Sequence, residues 1–186
     1  MLSKVAPGEV LDVLGPLGNG FTKPAASDHL VLVAGGVGIP PIYLFAKHSL
    51  LNGFDPKRIT FLCGLPSKMD QPMAERVADL PIELRYSTDD GSLGQRGFVS
   101  ELLEEQLAKS KSGPNPMICA CGPEGMLKAV QKIAKERRMR CLLSLESIMP
   151  CGVGTCLGCV VKKDGEEKYH RVCREGPVFD ATEVVL

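Results

Sequence analysis

Cys151, Cys156 and Cys159 sit within the stretch IMPCGVGTCLGCVV, and Cys173 follows after thirteen intervening residues. A thiolate is a strong ligand for iron and zinc, and the pattern C-x4-C-x2-C…C is the plant-type spacing for a [2Fe-2S] cluster. Gly152, Gly154 and Gly158 lie between the first three thiols. Glycine takes positive φ without a Cβ clash, so such a loop can turn sharply while its N–H groups point at sulfur. The fourth thiol comes from the far end of the segment 159–173, which reads as a hairpin turned at Asp164-Gly165. Zinc is the competing metal, but zinc ribbons pair two C-x2-C units and only one is present here.

Three further motifs suggest a nucleotide. AGGVGIPP (34–41) follows an apolar run and precedes a helical pattern. Small residues at such a strand-to-helix turn let a diphosphate approach the main chain, which makes Gly35, Gly36, Gly38 and Pro40 candidate binding residues. The motif departs from G-x-G-x-x-G, and a plain glycine turn is the alternative reading. CACGPEGML (119–127) runs from a strand into a helix on the same sheet edge and adds Cys121, Gly122 and Pro123. Strand alternation is expected to send one of Cys119 and Cys121 into the core and the other toward the cleft, rather than making a redox pair. YSTDDGSLGQRG (86–97) ends a strand with Thr88, Asp89 and Asp90. A carboxylate there can accept a hydrogen bond from a ribose hydroxyl and repel a 2′-phosphate, favouring NAD over NADP; capping of a turn is the alternative. His29, His48 and His170 carry no evident chemistry, and no Ser/His/Asp set or paired carboxylates suggest hydrolysis.

The elements that must position these residues follow from the hydrophobic pattern. Apolar runs at 29–36, 58–64, 82–88, 116–122 and 141–146 alternate with helical patterns at 41–53, 71–80, 97–110 and 125–138. That alternation predicts an α/β fold with a doubly wound, parallel, five-stranded sheet. Residues 9–21 give one short β-like run that must pair with something else or pack as an arm, and 109–116 reads as an exposed loop. The expected division is an N-terminal strand remnant over 1–27, a nucleotide domain over 28–146 and a small β-rich cluster module over 147–186. Twenty-two basic residues balance twenty-two acidic ones, so no footprint for nucleic acid or an anionic membrane is evident. No apolar run approaches the roughly 20 residues that span a bilayer, and the N-terminus is too polar for a signal peptide. Eight cysteines in such a chain point to a reducing, cytoplasmic setting rather than a disulfide framework.

Together, GPLGNGF, AGGVGIPP, TDDGSLGQRG, CGPEGML and SLESIMPCGVGTCLGCVVKK…YHRVCREGPVF resemble the electron-transfer subunits of class B dihydroorotate dehydrogenases, within the ferredoxin-reductase superfamily. The resemblance covers nearly the whole chain. It implies that Cys151, Cys156, Cys159 and Cys173 hold a [2Fe-2S] cluster, and that the GG-x-G and CGP segments bind the diphosphate and nicotinamide of NAD(H). It also implies a flavin, FAD, which splits a hydride pair into single electrons. The family's Arg-Pro-x-Ser-like motif and later Gly-Thr/Ser pair for FAD do not occur ahead of residue 28, so residues 9–21 resemble only the last strand of the flavin barrel. The implied partner is the FMN-containing catalytic subunit of dihydroorotate dehydrogenase, two copies of each, acting in UMP synthesis, with this chain an accessory subunit not catalytic alone. The alternatives are a reductase subunit of a hydrogenase or sulfite-reductase complex and, in another class, a non-redox binding module with a structural zinc.

Overall fold

In the computed structural model, residues 4–109 and 116–186 are described. The loop expected over 109–116 therefore lies almost wholly outside the described residues. All five expected strands form: β1 (His29–Gly35), β2 (Ile59–Leu65), β3 (Glu83–Thr88), β5 (Pro116–Cys121) and β6 (Arg140–Ser144). They pair in parallel in the order β3-β2-β1-β5-β6, the doubly wound arrangement.

β1 shows why this sheet is stable. Its Val31 and Val33 belong to the apolar core on one face, while Leu30, Leu32 and Ala34 belong to the core on the other, and all five have no exposed surface. A strand buried on both faces must be apolar at every position, which explains the unbroken run in the sequence. Helix α1 (Ile39–Leu51) packs its buried Ile39, Ile42, Ala46 and Ser49 at helical spacing on one face. Helices α3 (Val99–Lys109) and α4 (Glu124–Arg137) cover the other. The helix expected over 71–80 is largely a 3-10 stretch over 68–74 followed by one α turn, α2 (Glu75–Ala78), because Pro72 lacks the N–H that an α-helix needs there.

Two strands extend the sheet beyond the sequence reading. The short β4 (Gln95–Arg96) pairs with β3, and β9 (Val178–Asp180) adds antiparallel to β6 at the opposite edge. β9 comes from the C-terminal module. The rest of that module is the hairpin β7 (Val160–Lys163) and β8 (Tyr169–Arg171), with β10 (Val184–Val185) pairing on the outer side of β7. Gly165 takes φ +72° in its turn, which spans five residues rather than the two expected.

The β-like run expected over 9–21 forms no strand. Residues 9–18 make no ladder, and the β-pairing of the segment is the single bridge between Asn19 and Pro177. Val10, Val13 and Leu14 are 94%, 77% and 62% exposed, so the alternation that reads as a strand here has no sheet to pair with.

His29 occupies a half-buried polar cluster at the start of β1. Its Nε2 lies 3.1 Å from the Thr60 hydroxyl, which donates to Glu83 Oε2 at 2.9 Å. Burial pulls the imidazole below its usual 6.5, with Glu83 opposing and Arg58 adding to the shift. The folded state therefore prefers neutral His29. Its contribution to stability is complete above pH 6.5 and is lost as pH falls below it, where the unfolded chain binds the proton more readily. Denaturant unfolding between pH 7 and pH 5 should show a stability decline that is shallower in His29→Gln; parallel curves for the two proteins would refute the assignment.

Candidate functional site

The carboxyl ends of the parallel strands enclose a cavity of about 550 Å³, lined among others by Gly35, Gly36, Leu65, Asp89, Pro123 and Met126. Two helices present their N-terminal ends to it: Val99 and Ser100 of α3, and Gly125 and Met126 of α4, are in its wall. Such ends carry partial positive charge, so the cavity suits an anionic ligand. Helix α1 contributes less than the glycine motif suggests. Ile39 N–H is committed to Gly36 O, and Pro40 and Pro41 have no N–H, so its first three residues offer no free donor.

The glycines divide by role. Gly36 has φ +51° with open space around its α-carbon, whereas a Cβ on Gly38 would lie 1.9 Å from Cys121 O. Gly38 thus allows the two loops to touch rather than lining the cavity. Gly122 is similar: a Cβ there would sit 2.6 Å from Met126 Cε and 3.0 Å from Gly35 O. Pro40 lies in the first turn of α1.

The two aspartates also separate. Asp90 accepts from the Ser92 N–H at 2.9 Å and the Ser92 hydroxyl at 2.6 Å, and these bonds hold its carboxyl below the ordinary range. Thr88 closes the same turn, donating to Leu93 O at 2.9 Å and accepting from Leu93 N–H at 3.1 Å. Asp89 alone of the three lines the cavity. Beside it is Ser87, which the sequence reading missed and whose buried hydroxyl has no hydrogen-bond partner. The one signal for it was its position a single residue before the end of β3.

Cys119 and Cys121 are two residues apart and therefore share a face of β5, contrary to the expectation that alternation separates them. Depth distinguishes them instead: Cys119 is buried and Cys121 half-buried at the strand end. Burial raises the Cys121 thiol, with the Ser144 hydrogen bond opposing. Burial also pushes Cys63 and Cys141 up to about 12 and Cys119 well above its ordinary value, so these thiols stay protonated.

The C-terminal cysteines behave differently. N–H groups of Cys156 and Val153 point at the Cys151 sulfur and, with the Cys156 thiol and Thr155 hydroxyl, lower it to about 5. Gly158 N–H donates to Cys156 Sγ at 3.3 Å, and Cys173 N–H to Cys159 Sγ at 3.5 Å. The backbone achieves this with positive φ at Gly152 (+69°), Gly154 (+80°) and Leu157 (+58°). Among the described residues no three His, Cys, Asp or Glu side chains converge on a point that would hold a single ion. Cys151 interacts with Cys156, and Cys173 with both Cys159 and Cys151.

Arg171 ties the hairpin to this loop. Its Nη1 donates to Gly154 O at 2.9 Å, and its Nε and backbone N–H donate to Glu175 Oε2 at 3.0 and 2.8 Å. That guanidinium holds the Glu175 carboxyl down at about 2. Around the thiols, Ile148, Met149, Val153 and Leu157 point outward rather than covering the site, with Ile148 84% exposed. A groove of about 740 Å³ joins the two regions, lined by Gly122 and Pro123 from one side and Ile148 and Val160 from the other. Pro123 borders both this groove and the nucleotide cavity.

Comparison with known proteins agrees with this layout. Residues 146–185 match the iron–sulfur cluster binding domain of dihydroorotate dehydrogenase B, and residues 32–132 match the oxidoreductase NAD-binding domain. The electron transfer subunit of dihydroorotate dehydrogenase B (NAD(+)) from Enterococcus faecalis (strain ATCC 47077 / OG1RF) is 45% identical over 96% of this chain and 67% of its own length. That from Geobacillus sp. (strain WCH70) is 39% identical over 100% of this chain and 69% of its own. The chain belongs to this family. It spans about two thirds of the length of these relatives. The solved structure of an NADH-dependent reduced ferredoxin-NADP oxidoreductase, studied for flavin-based electron bifurcation, is similar at TM-score 0.79 and 31% identity, over 99% of this chain and 63% of that one. The ferredoxin reductase of carbazole 1,9a-dioxygenase, at TM-score 0.54 and 20% identity, shares the fold alone. The fold of this family member is thus ferredoxin-reductase-like, with an iron–sulfur binding region at its C-terminal end. No helix among the described residues is long and apolar enough to cross a membrane.

Proposed function

We propose that this chain carries electrons between NAD(H) and the catalytic subunit of a dihydroorotate dehydrogenase, serving pyrimidine synthesis. The observation that carries this reading is the four-thiol module, where Gly158 N–H donates to Cys156 Sγ and Cys173 N–H to Cys159 Sγ, beside a groove that leads from the cavity at the strand ends. A [2Fe-2S] cluster has two irons, each needing two protein thiolates, and the C-x4-C-x2-C…C spacing matches it, whereas zinc ribbons pair two C-x2-C units. Bound there, it would accept and release one electron at a time.

The chain's own residues supply the rest. The N–H groups directed at Cys151 favour its thiolate, the form that ligates metal. Gly36 and the first turns of α3 and α4 border the space for the dinucleotide phosphates, and Pro123 lies where that space meets the cluster module. Outward-facing Ile148, Val153 and Leu157 leave one side of the thiol loop open to a partner. We read 28–146 as the nucleotide-binding part and 147–186 as the cluster module, and the partner complex as two copies of each subunit. The Arg-Pro-x-Ser-like motif and the Gly-Thr/Ser pair that the family uses for FAD are not found within residues 1–27, and residues 9–18 form no strand. No step is therefore routed through a flavin here.

Co-expression with a dihydroorotate dehydrogenase catalytic subunit should give a stable complex on size exclusion. Failure to associate would favour another reductase partner. Nucleotide choice is a sharper test, because Asp89 faces the cavity and Asp90 does not. The chain should bind NADH over NADPH, and Asp89→Ser should narrow that preference by about 0.5–1.5 kcal/mol, the scale of one solvent-facing hydrogen bond. Asp90→Ser should leave it unchanged. Equal affinities in the unsubstituted chain would refute the role of Asp89.

A further inference from the structure

Residues 14–19, which belong to no strand, meet the thiol module at two places. The first is the turn that follows Cys173. Asn19 Nδ2 donates to Arg174 O and to Glu175 O, each at 3.1 Å. Its backbone N–H donates to Gly176 O at 2.5 Å, and its carbonyl accepts from Val178 N–H at 3.3 Å. Four bonds from one residue thus grip the backbone of 174–178. The approach is close enough to demand glycine beforehand: Gly18 has φ +66°, and a Cβ on it would lie 2.1 Å from Gly176 O.

The second contact is with the thiol loop itself. A Cβ on Gly152, next to Cys151, would meet Leu14 Cδ2 at 3.1 Å and Leu17 Cδ1 at 3.3 Å, so these leucines lie directly on the loop. The two contacts are linked through the module, since Glu175, whose carbonyl Asn19 holds, pairs through its carboxylate with Arg171, which donates to Gly154 O. Asn19 therefore acts at one end of a continuous set of bonds that ends in the loop carrying Cys151 and Cys156.

We propose that Asn19 is a positioning residue for the cluster, a clamp that fixes the Cys173 turn against the thiol loop, with Leu14 and Leu17 closing the Cys151 side. This rests on the cluster reading above. The clamp requires the two amide hydrogens of Asn19, because both side-chain acceptors are carbonyls. Asp is the discriminating substitution: it matches the shape but places a carboxylate oxygen against those carbonyls.

The test uses the full chain reconstituted anaerobically with iron and sulfide. Iron release to a chelator should quicken about fivefold in Asn19→Ala and at least as much in Asn19→Asp, the scale of losing one or two solvent-facing hydrogen bonds. The visible circular dichroism and the electron paramagnetic resonance of the reduced cluster should change as well, while NADH affinity stays the same. Leu14→Ser with Leu17→Ser should speed release further. In the metal-free chain, hydrogen exchange of the amides of Arg174, Glu175, Gly176 and Val178 should accelerate in both Asn19 variants, a reading independent of iron. Unchanged release and spectra in a variant whose parent holds two irons would overturn the clamp alone. A parent that takes up no iron would overturn the cluster reading, and the exchange rates would then decide whether Asn19 grips the turn.

Discussion

Cys156→Ser should empty the thiol centre. Reconstituted anaerobically, the unsubstituted chain should be red-brown with about two irons, and the variant nearly colourless with almost none. Cys156 is the most exposed of the four thiols, so its replacement costs the fold little and isolates the ligand effect. Cys63→Ala is the matched control. Its thiol is buried in the sheet core and held protonated by burial, so iron should remain at the parental level while stability falls by about 1 kcal/mol from the lost packing. The two substitutions separate a ligand from a core cysteine in one experiment. A parent that binds a single zinc and stays colourless, or a Cys156→Ser variant that keeps both irons, would overturn the assignment of these thiols.

Gly38→Ala should be the most damaging single methyl group in the nucleotide half. Its Cβ would lie 1.9 Å from Cys121 O and 2.6 Å from Gly122 N, both backbone atoms that no rotamer change can move aside. Relief requires the strand-to-helix turns after β1 and β5 to separate by more than an ångström, and Pro123 of the second turn is part of the cavity wall. A loss of about 3 kcal/mol in unfolding free energy is expected, the upper range for overpacking, with NADH affinity down on the order of a hundredfold. Gly36→Ala provides the contrast. There is open space at that position, so only the left-handed backbone is penalised, at about 1–2 kcal/mol. Denaturant titration and NADH fluorescence would report both quantities. If Gly38→Ala bound NADH as the parent does, the contact between the two turns would have no part in shaping the cavity.

The sequence conveyed the parallel sheet because its central strands are buried on both faces, leaving continuous runs such as HLVLVAG bounded by glycine. The four-thiol spacing was legible because such spacing is local. What the sequence concealed were properties of depth and partnership. Thr88, Asp89 and Asp90 are adjacent, yet only Asp89 borders the cavity, since the turn consumes the hydrogen-bonding capacity of the other two. Gly35, Gly36 and Gly38 read alike, and only a three-dimensional neighbour distinguishes the glycine that borders the cavity from the one that admits another loop. The run over 9–21 has strand-like composition, but a strand exists only with a partner, and composition does not say whether one is present. β9 was hidden for the converse reason: three residues, VFD, are too few to show a period, and their pairing with β6 joins positions far apart in the chain.

The seam between the two halves has a bearing on how the chain comes apart. β9 completes the nucleotide sheet, Leu145 N–H donates to Pro177 O, and Ala181 N–H to Cys141 O, both at 2.8 Å. From α4, the buried Gln131 side chain donates to Ala181 O and Val184 O at 2.8 and 2.7 Å. Melting is therefore shared: heat cannot release the thiol module as an independent bead on a tether, because its departure strips a strand from the sheet and leaves Gln131 buried with lost partners. It also bares the outer edge of β6, whose unpaired backbone is a template for the β6 of another molecule. Release of the thiol module and exposure of a sticky sheet edge are thus two consequences of the same opening.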